Sequence, residues 1–178
     1  MRWLTFFLLL YLMMAAQTSR LGGIPATGGA IWPFIEFVPL LAVFYALYAS
    51  AEAAPLAALL CGLSYDLMMM DFVGTSLVPM ALVGWLIVRI RLSIFREHFI
   101  SQVVMTLLGL LTFATFSVIF RRLIGAPLEG NSMLSHLGYH AGNALYTAMV
   151  APLLFYLFFR IQHLLGFTSH GPRMRPHG

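Results

Sequence analysis

Residues 100–120 read ISQVVMTLLGLLTFATFSVIF, and no other stretch constrains the architecture more. The run is continuously apolar, and it is long enough to cross a bilayer, which takes about 20 residues (range roughly 17–25). Similar runs lie on both sides of it. They cover Trp3–Gln17, Pro33–Ala49, Ala53–Met70, Thr75–Ile90 and Leu137–Phe159. Lipid offers the backbone no hydrogen bonds, so only helices or closed barrels can cross it. These runs lack the alternation of barrel strands. The sequence therefore predicts an all-α fold, a polytopic transmembrane bundle of about six helices filling residues 1–162. Residues 163–178 read as a polar cytoplasmic tail, rich in Gly, Pro and His and expected to be disordered. The first run is short and ends Ala15-Ala16-Gln17, so a cleaved signal peptide is the alternative there.

Composition supports this class. Of 178 residues, 61% are hydrophobic and 9% charged, against roughly 25% charged in a soluble domain. The ten basic residues are all Arg. They sit in short segments between apolar runs, which is how a membrane protein sets its orientation, and not in a nucleic-acid-binding patch. Crossing by crossing, Arg2, Arg89, Arg91, Arg96, Arg160, Arg173 and Arg175 fall on one side. Arg20, Arg121 and Arg122 fall on the other. The Arg-rich side is expected to be cytoplasmic, with both termini on it, which makes this a multi-pass inner-membrane protein. Cys61, the single cysteine, lies inside an apolar run and rules out a disulfide framework.

The ionisable groups within the runs are few. Asp66, in Gly62-Leu63-Ser64-Tyr65-Asp66, is the clearest; an Asp near a helix centre costs roughly 2.5–3.5 kcal/mol on insertion scales. It is expected to face the bundle interior and pair with a polar group, either as a structural acid satisfied by hydroxyls or backbone or as a functional contact. Glu36, one turn into helix two, and Asp71, at the interface, gather on the same outer side. Asp66 and Asp71 are five apart and share no helical face well, so they make a poor metal pair. His136 and His140 are four apart but lack the third ligand and acidic base of a zinc motif, and read as interfacial polar residues. Gly138 and Gly142 form a small-x-x-x-small pair, fit for packing within the bundle or for docking a partner's helix. No phosphate-binding loop, G-x-S-x-G or C-x-x-C is present. No catalytic role, cofactor or metal is expected.

Helices two to four carry a further pattern. A Gly-rich loop leads into Ile31-Trp32-Pro33. Then follow Gly62-x-x-x-Asp66, Phe72-Val73-Gly74-Thr75, and the basic exit Arg89-Ile90-Arg91-Leu92-Ser93-Ile94-Phe95-Arg96-Glu97. Over residues 31 to 120 this resembles the rod shape-determining MreD family, which shows G-x-x-x-D, a Gly about eight residues later, and a helix ending in a basic turn. Cys61 beside the motif and the Met-rich segment after Asp66 depart from that pattern. The resemblance implies a non-enzymatic membrane scaffold of the cell-elongation machinery, supporting side-wall peptidoglycan synthesis. Its partners would be membrane lipid, an MreC-like single-span protein and, through the complex, MreB and the RodA–PBP2 synthases. It also implies a fold similar to the substrate-binding subunits of energy-coupling-factor transporters. Gly62, Asp66 and Gly74 would then be fold or partner-contact positions. A vitamin- or metabolite-binding transporter subunit is the alternative, kept open by the outer acidic groups.

Overall fold

The computed structural model describes residues 3–19, 33–70, 72–91, 99–125 and 133–160. Among these, the chain forms six helices and no strand: α1 (Trp3–Thr18), α2 (Phe37–Tyr48), α3 (Ala53–Met68), α4 (Leu77–Ile90), α5 (Phe99–Leu123) and α6 (Met133–Arg160). Two of them, over Ile100–Leu123 and Leu137–Phe158, are long and apolar enough to cross a membrane; the other four are shorter apolar helices.

Helix α2 is the hub. It is 12 residues long, and every residue but Tyr48 is buried. All five other helices touch it, and α1, α3, α4, α5 and α6 follow one another around it as an arc. Aromatic side chains fill the joins. Phe6 of α1 meets Tyr45 edge-on at 5.0 Å, and Phe44 meets Phe155 and Phe158 of α6 at 5.2 and 4.9 Å. Small residues bring the backbones close elsewhere. A Cβ placed on Gly84 of α4 would come within 2.5 Å of the Cβ of Ala58 on α3.

Side-chain hydrogen bonds fix which helix ends lie together. Gln17, near the end of α1, and Asn143 and Thr147, in the first half of α6, bond to backbone at the start of α2. Arg91 after α4 and Gln102 early in α5 bond to the end of α2. Successive helices therefore run in opposite directions.

Polarity is inverted relative to a water-soluble bundle. Gln17, Glu36, Asp66, Thr75, Ser76, Arg91, Thr106, Ser117, Asn143 and Thr147 are buried. The outward faces carry Leu4, Leu8, Tyr11, Leu82, Trp85, Ile100, Val104, Leu108, Leu145, Met149 and Leu153. Among the described residues, every charged side chain that is not buried sits at a helix end: Glu52, Arg89, Arg121, Arg122 and Arg160.

Three boundaries differ from the sequence reading. The run from Pro33 is predicted to be helical, yet Pro33–Glu36 is non-helical and the helix begins at Phe37. This lead-in can stay irregular because α6 supplies its hydrogen bonds. Helix α4 begins at Leu77 rather than Thr75, because Gly74 to Ser76 form a turn held by Asp66. The last helix starts earlier than Leu137, at Met133. Arg91, read as part of an exposed basic turn, folds inward and is buried. Asp71, the Gly-rich loop 20–32 and the tail 163–178 lie outside the described residues.

The α3–α4 contact yields the first prediction. Gly84→Val forces a branched side chain into Ala58, and such overpacking costs typically 1–3 kcal/mol. Unfolding of the purified protein in detergent is expected to shift to lower denaturant by about that amount, while Leu82→Val, on the exposed side of the same helix, leaves it nearly unchanged.

Candidate functional site

The chemistry-bearing residues collect in three places, and each closes the end of a helix. The first is centred on Asp66. Its carboxylate is fully buried and accepts four hydrogen bonds. Oδ2 takes the backbone N–H of Gly74 at 2.7 Å and of Leu77 at 3.1 Å; Oδ1 takes the N–H of Ser76 at 2.8 Å and the hydroxyl of Thr75 at 2.9 Å. The first N–H groups of a helix have no partner within it, and a carboxylate there also meets the positive end of the helix dipole. Asp66, reaching across from α3, thus caps α4 in place of a local N-cap side chain; Ser76 itself makes no such bond.

The two glycines of the motif belong to the same device. A Cβ on Gly62 would stand 2.6 Å from the Cα of Leu77 and 2.8 Å from the carbonyl oxygen of Ser76. Only a glycine lets the start of α4 rest on α3. Gly74 has φ +114°, a conformation that glycine adopts without steric cost. Gly62, Asp66 and Gly74 therefore form one hairpin lock. Asp66 faces the interior with backbone and hydroxyl partners.

The second cluster surrounds the start of α2. Glu36 is 2% exposed and stands just before the helix, not one turn into it. Its Oε1 lies 3.3 Å from Nδ1 of His140 and 3.5 Å from Nδ2 of Asn143. The same α6 face serves the backbone here. The N–H of Phe34 donates to Oδ1 of Asn143 at 3.2 Å and that of Glu36 to the hydroxyl of Thr147 at 3.0 Å. Gln17 of α1 completes the set, its Oε1 accepting from the N–H of Phe37 at 2.6 Å. Its Nε2 is buried without a partner among the described residues.

The third is Arg91, 7% exposed. Its guanidinium donates to the carbonyl oxygens of Ala46, Leu47 and Ala49 at the end of α2. Helix C-termini leave such carbonyls free and favour a cation beside them.

Sequence reasoning singled out Glu36 and His140 separately and missed Gln17, Asn143, Thr147 and Arg91. The signal was available in part. His140, Asn143 and Thr147 follow one another at spacings of three and four, which puts polar groups on one stripe of an apolar helix. Gly138 does not pack against another helix. Gly138 is exposed, no atom of the described residues lies within 4 Å of a Cβ built on it, and Gly142 is partly exposed. Among the described residues no group of three His, Cys, Asp or Glu is placed to hold a metal ion. No known family, curated protein or solved structure matches the chain.

The cap predicts a graded series. Asp66→Ala leaves three buried N–H groups without acceptors, at roughly 1–3 kcal/mol for each buried group left unsatisfied. Asp66→Asn keeps one carbonyl oxygen and with it one of the two donor pairs. Unfolding in detergent is expected to rank wild type above Asn above Ala, with Thr75→Val closest to wild type.

Proposed function

We propose that the chain is a multi-pass membrane protein that works as a scaffold, meeting partner proteins through the sides of its helices in the MreD-like role of the bacterial elongation machinery. The inverted polarity carries this reading. Among the described residues, the polar groups within the helices face the interior, the outward faces are largely apolar, and exposed charge is confined to helix ends. In hydrocarbon, polar residues face the interior and pair there, and helix association rests on close packing and interhelical hydrogen bonds.

The interior chemistry supports a scaffold over a catalyst. Asp66, Arg91, Gln17, Asn143 and Thr147 bond to backbone at helix ends. They are partners of the fold. A groove along α1, lined by Tyr11, Met14, Ala15, Thr18 and Ser19, is open to the surface. The resemblance at Gly62, Asp66 and Gly74 supports the family, since three positions of one sequence motif make one structural device. The similarity to energy-coupling-factor substrate-binding subunits, orientation with both termini in the cytoplasm, and association with an MreC-like protein, MreB and RodA–PBP2 form part of this proposal.

Photo-crosslinking in living cells tests it. Crosslinkers at the exposed positions Leu56 on α3 and Leu145 and Met149 on α6 are expected to capture the MreC-like single-span protein or a wall synthase. Recovery of neither, with the chain at its normal level in the membrane, contradicts the scaffold role. A small molecule that copurifies in stoichiometric amount would favour the transporter subunit instead.

A further inference from the structure

The turn between α3 and α4 presents apolar side chains outward. Met69 is 45% exposed, Met70 96%, Phe72 62% and Val73 64%. Met70 also has φ +52°. This is the left-handed region at a helix C-terminus, where glycine or asparagine is the usual residue because other side chains are strained there. The chain therefore holds a strained conformation at a residue whose side chain touches almost nothing within the protein.

Helix length says what surrounds it. Glu52, exposed and charged, marks the start of α3, and Arg89, exposed, the last turn of α4. From that end α3 has 16 residues and α4 has 14, so at about 1.5 Å per residue they rise roughly 24 and 21 Å. A bilayer's hydrocarbon core is about 30 Å thick. The 25 residues of α5 and 28 of α6 exceed that thickness, but the α3–α4 hairpin does not. In the sequence from Leu67 to Ser76 Asp71 is the single ionisable residue, which sets the tip near the edge of the hydrocarbon and not at its middle.

We propose that the α3–α4 turn is immersed in lipid at the acyl–headgroup boundary of one leaflet, with Met70, Phe72 and Val73 in contact with acyl chains. The proposal rests on the membrane reading above. A turn in lipid must satisfy the N–H groups of Gly74, Ser76 and Leu77 from within the protein. The four hydrogen bonds to Asp66 supply that satisfaction. The occupant of this surface is lipid and not a protein partner, because the apolar patch ends the hairpin where the bilayer still continues.

Fluorescence quenching in vesicles tests this with the full chain. Cys61 is fully buried, and the unsubstituted protein serves as the control for labelling there. Single variants Met70→Cys, Val73→Cys and Leu108→Cys, each carrying an environment-sensitive fluorophore, are reconstituted in phosphatidylethanolamine–phosphatidylglycerol vesicles. Parallel samples contain lipid with a spin label near the headgroup or deep in the acyl chain. The labels at 70 and 73 are expected to lose most of their emission to the shallow spin label and little to aqueous iodide, and the label at 108 to respond to the deep one. Labels at 70 and 73 quenched by iodide and not by lipid, with 108 still quenched by lipid, overturn the immersion alone. A label at 108 that no lipid quenches overturns the membrane reading, and the immersion with it.

Discussion

A helix of 12 residues buried on every side cannot leave its end groups to solvent, and the rest of this structure is arranged around that constraint. Four N–H groups and four carbonyls of any helix lack partners within it, and each costs free energy if buried unpaired. At the start of α2, Gln17, Asn143 and Thr147 accept from the backbone of Phe37, Phe34 and Glu36. At its end, Arg91 gathers three carbonyls. Those four side chains come from α1, α6 and the end of α4. The polar groups that close α2 are thus also the pins that hold the outer helices in register. Asp66 repeats the principle for α4.

This explains why the protein keeps several polar side chains where packing alone would favour apolar ones. Between helices surrounded by lipid there is little hydrophobic drive, since the tails are as apolar as leucine. Directional bonds then set which helix stands beside which. Close approach contributes the rest, through Gly62 against Leu77 and Gly84 against Ala58. In the proposed scaffold role a fixed outline would be an advantage, because partner helices would recognise its sides. The same economy of contacts accounts for the short hairpin. Capped by Asp66, α3 and α4 can end early with the N–H groups of Gly74, Ser76 and Leu77 satisfied.

Much of the architecture was legible in the sequence, and the reasons differ by element. The apolar run at 100–120 sits within one helix, and the short link at Ser50–Glu52 joins α2 to α3 directly. Asp66 stood out because an acid in an apolar run demands a partner. Its identity as a cap of α4 was hidden, because three of its four donors are backbone N–H groups eight to eleven residues onward, which leave no mark in composition. Pro33–Glu36 was misread for a related reason. Hydropathy measures side chains, and those of Phe34, Ile35 and Glu36 are buried just as helical ones would be. The burial of Arg91 leaves no local sequence mark, since nothing nearby distinguishes it from Arg89, which lies over the Trp85 ring.

Hydrogen–deuterium exchange of the protein in lipid nanodiscs bears most directly on the sealed ends of α2. The amides of Phe34, Glu36 and Phe37 should exchange as slowly as those of Leu41 to Phe44 in the middle of the helix. Rapid exchange at the first three beside slow exchange in the middle would mean that the start of α2 is open to water, and would contradict the account.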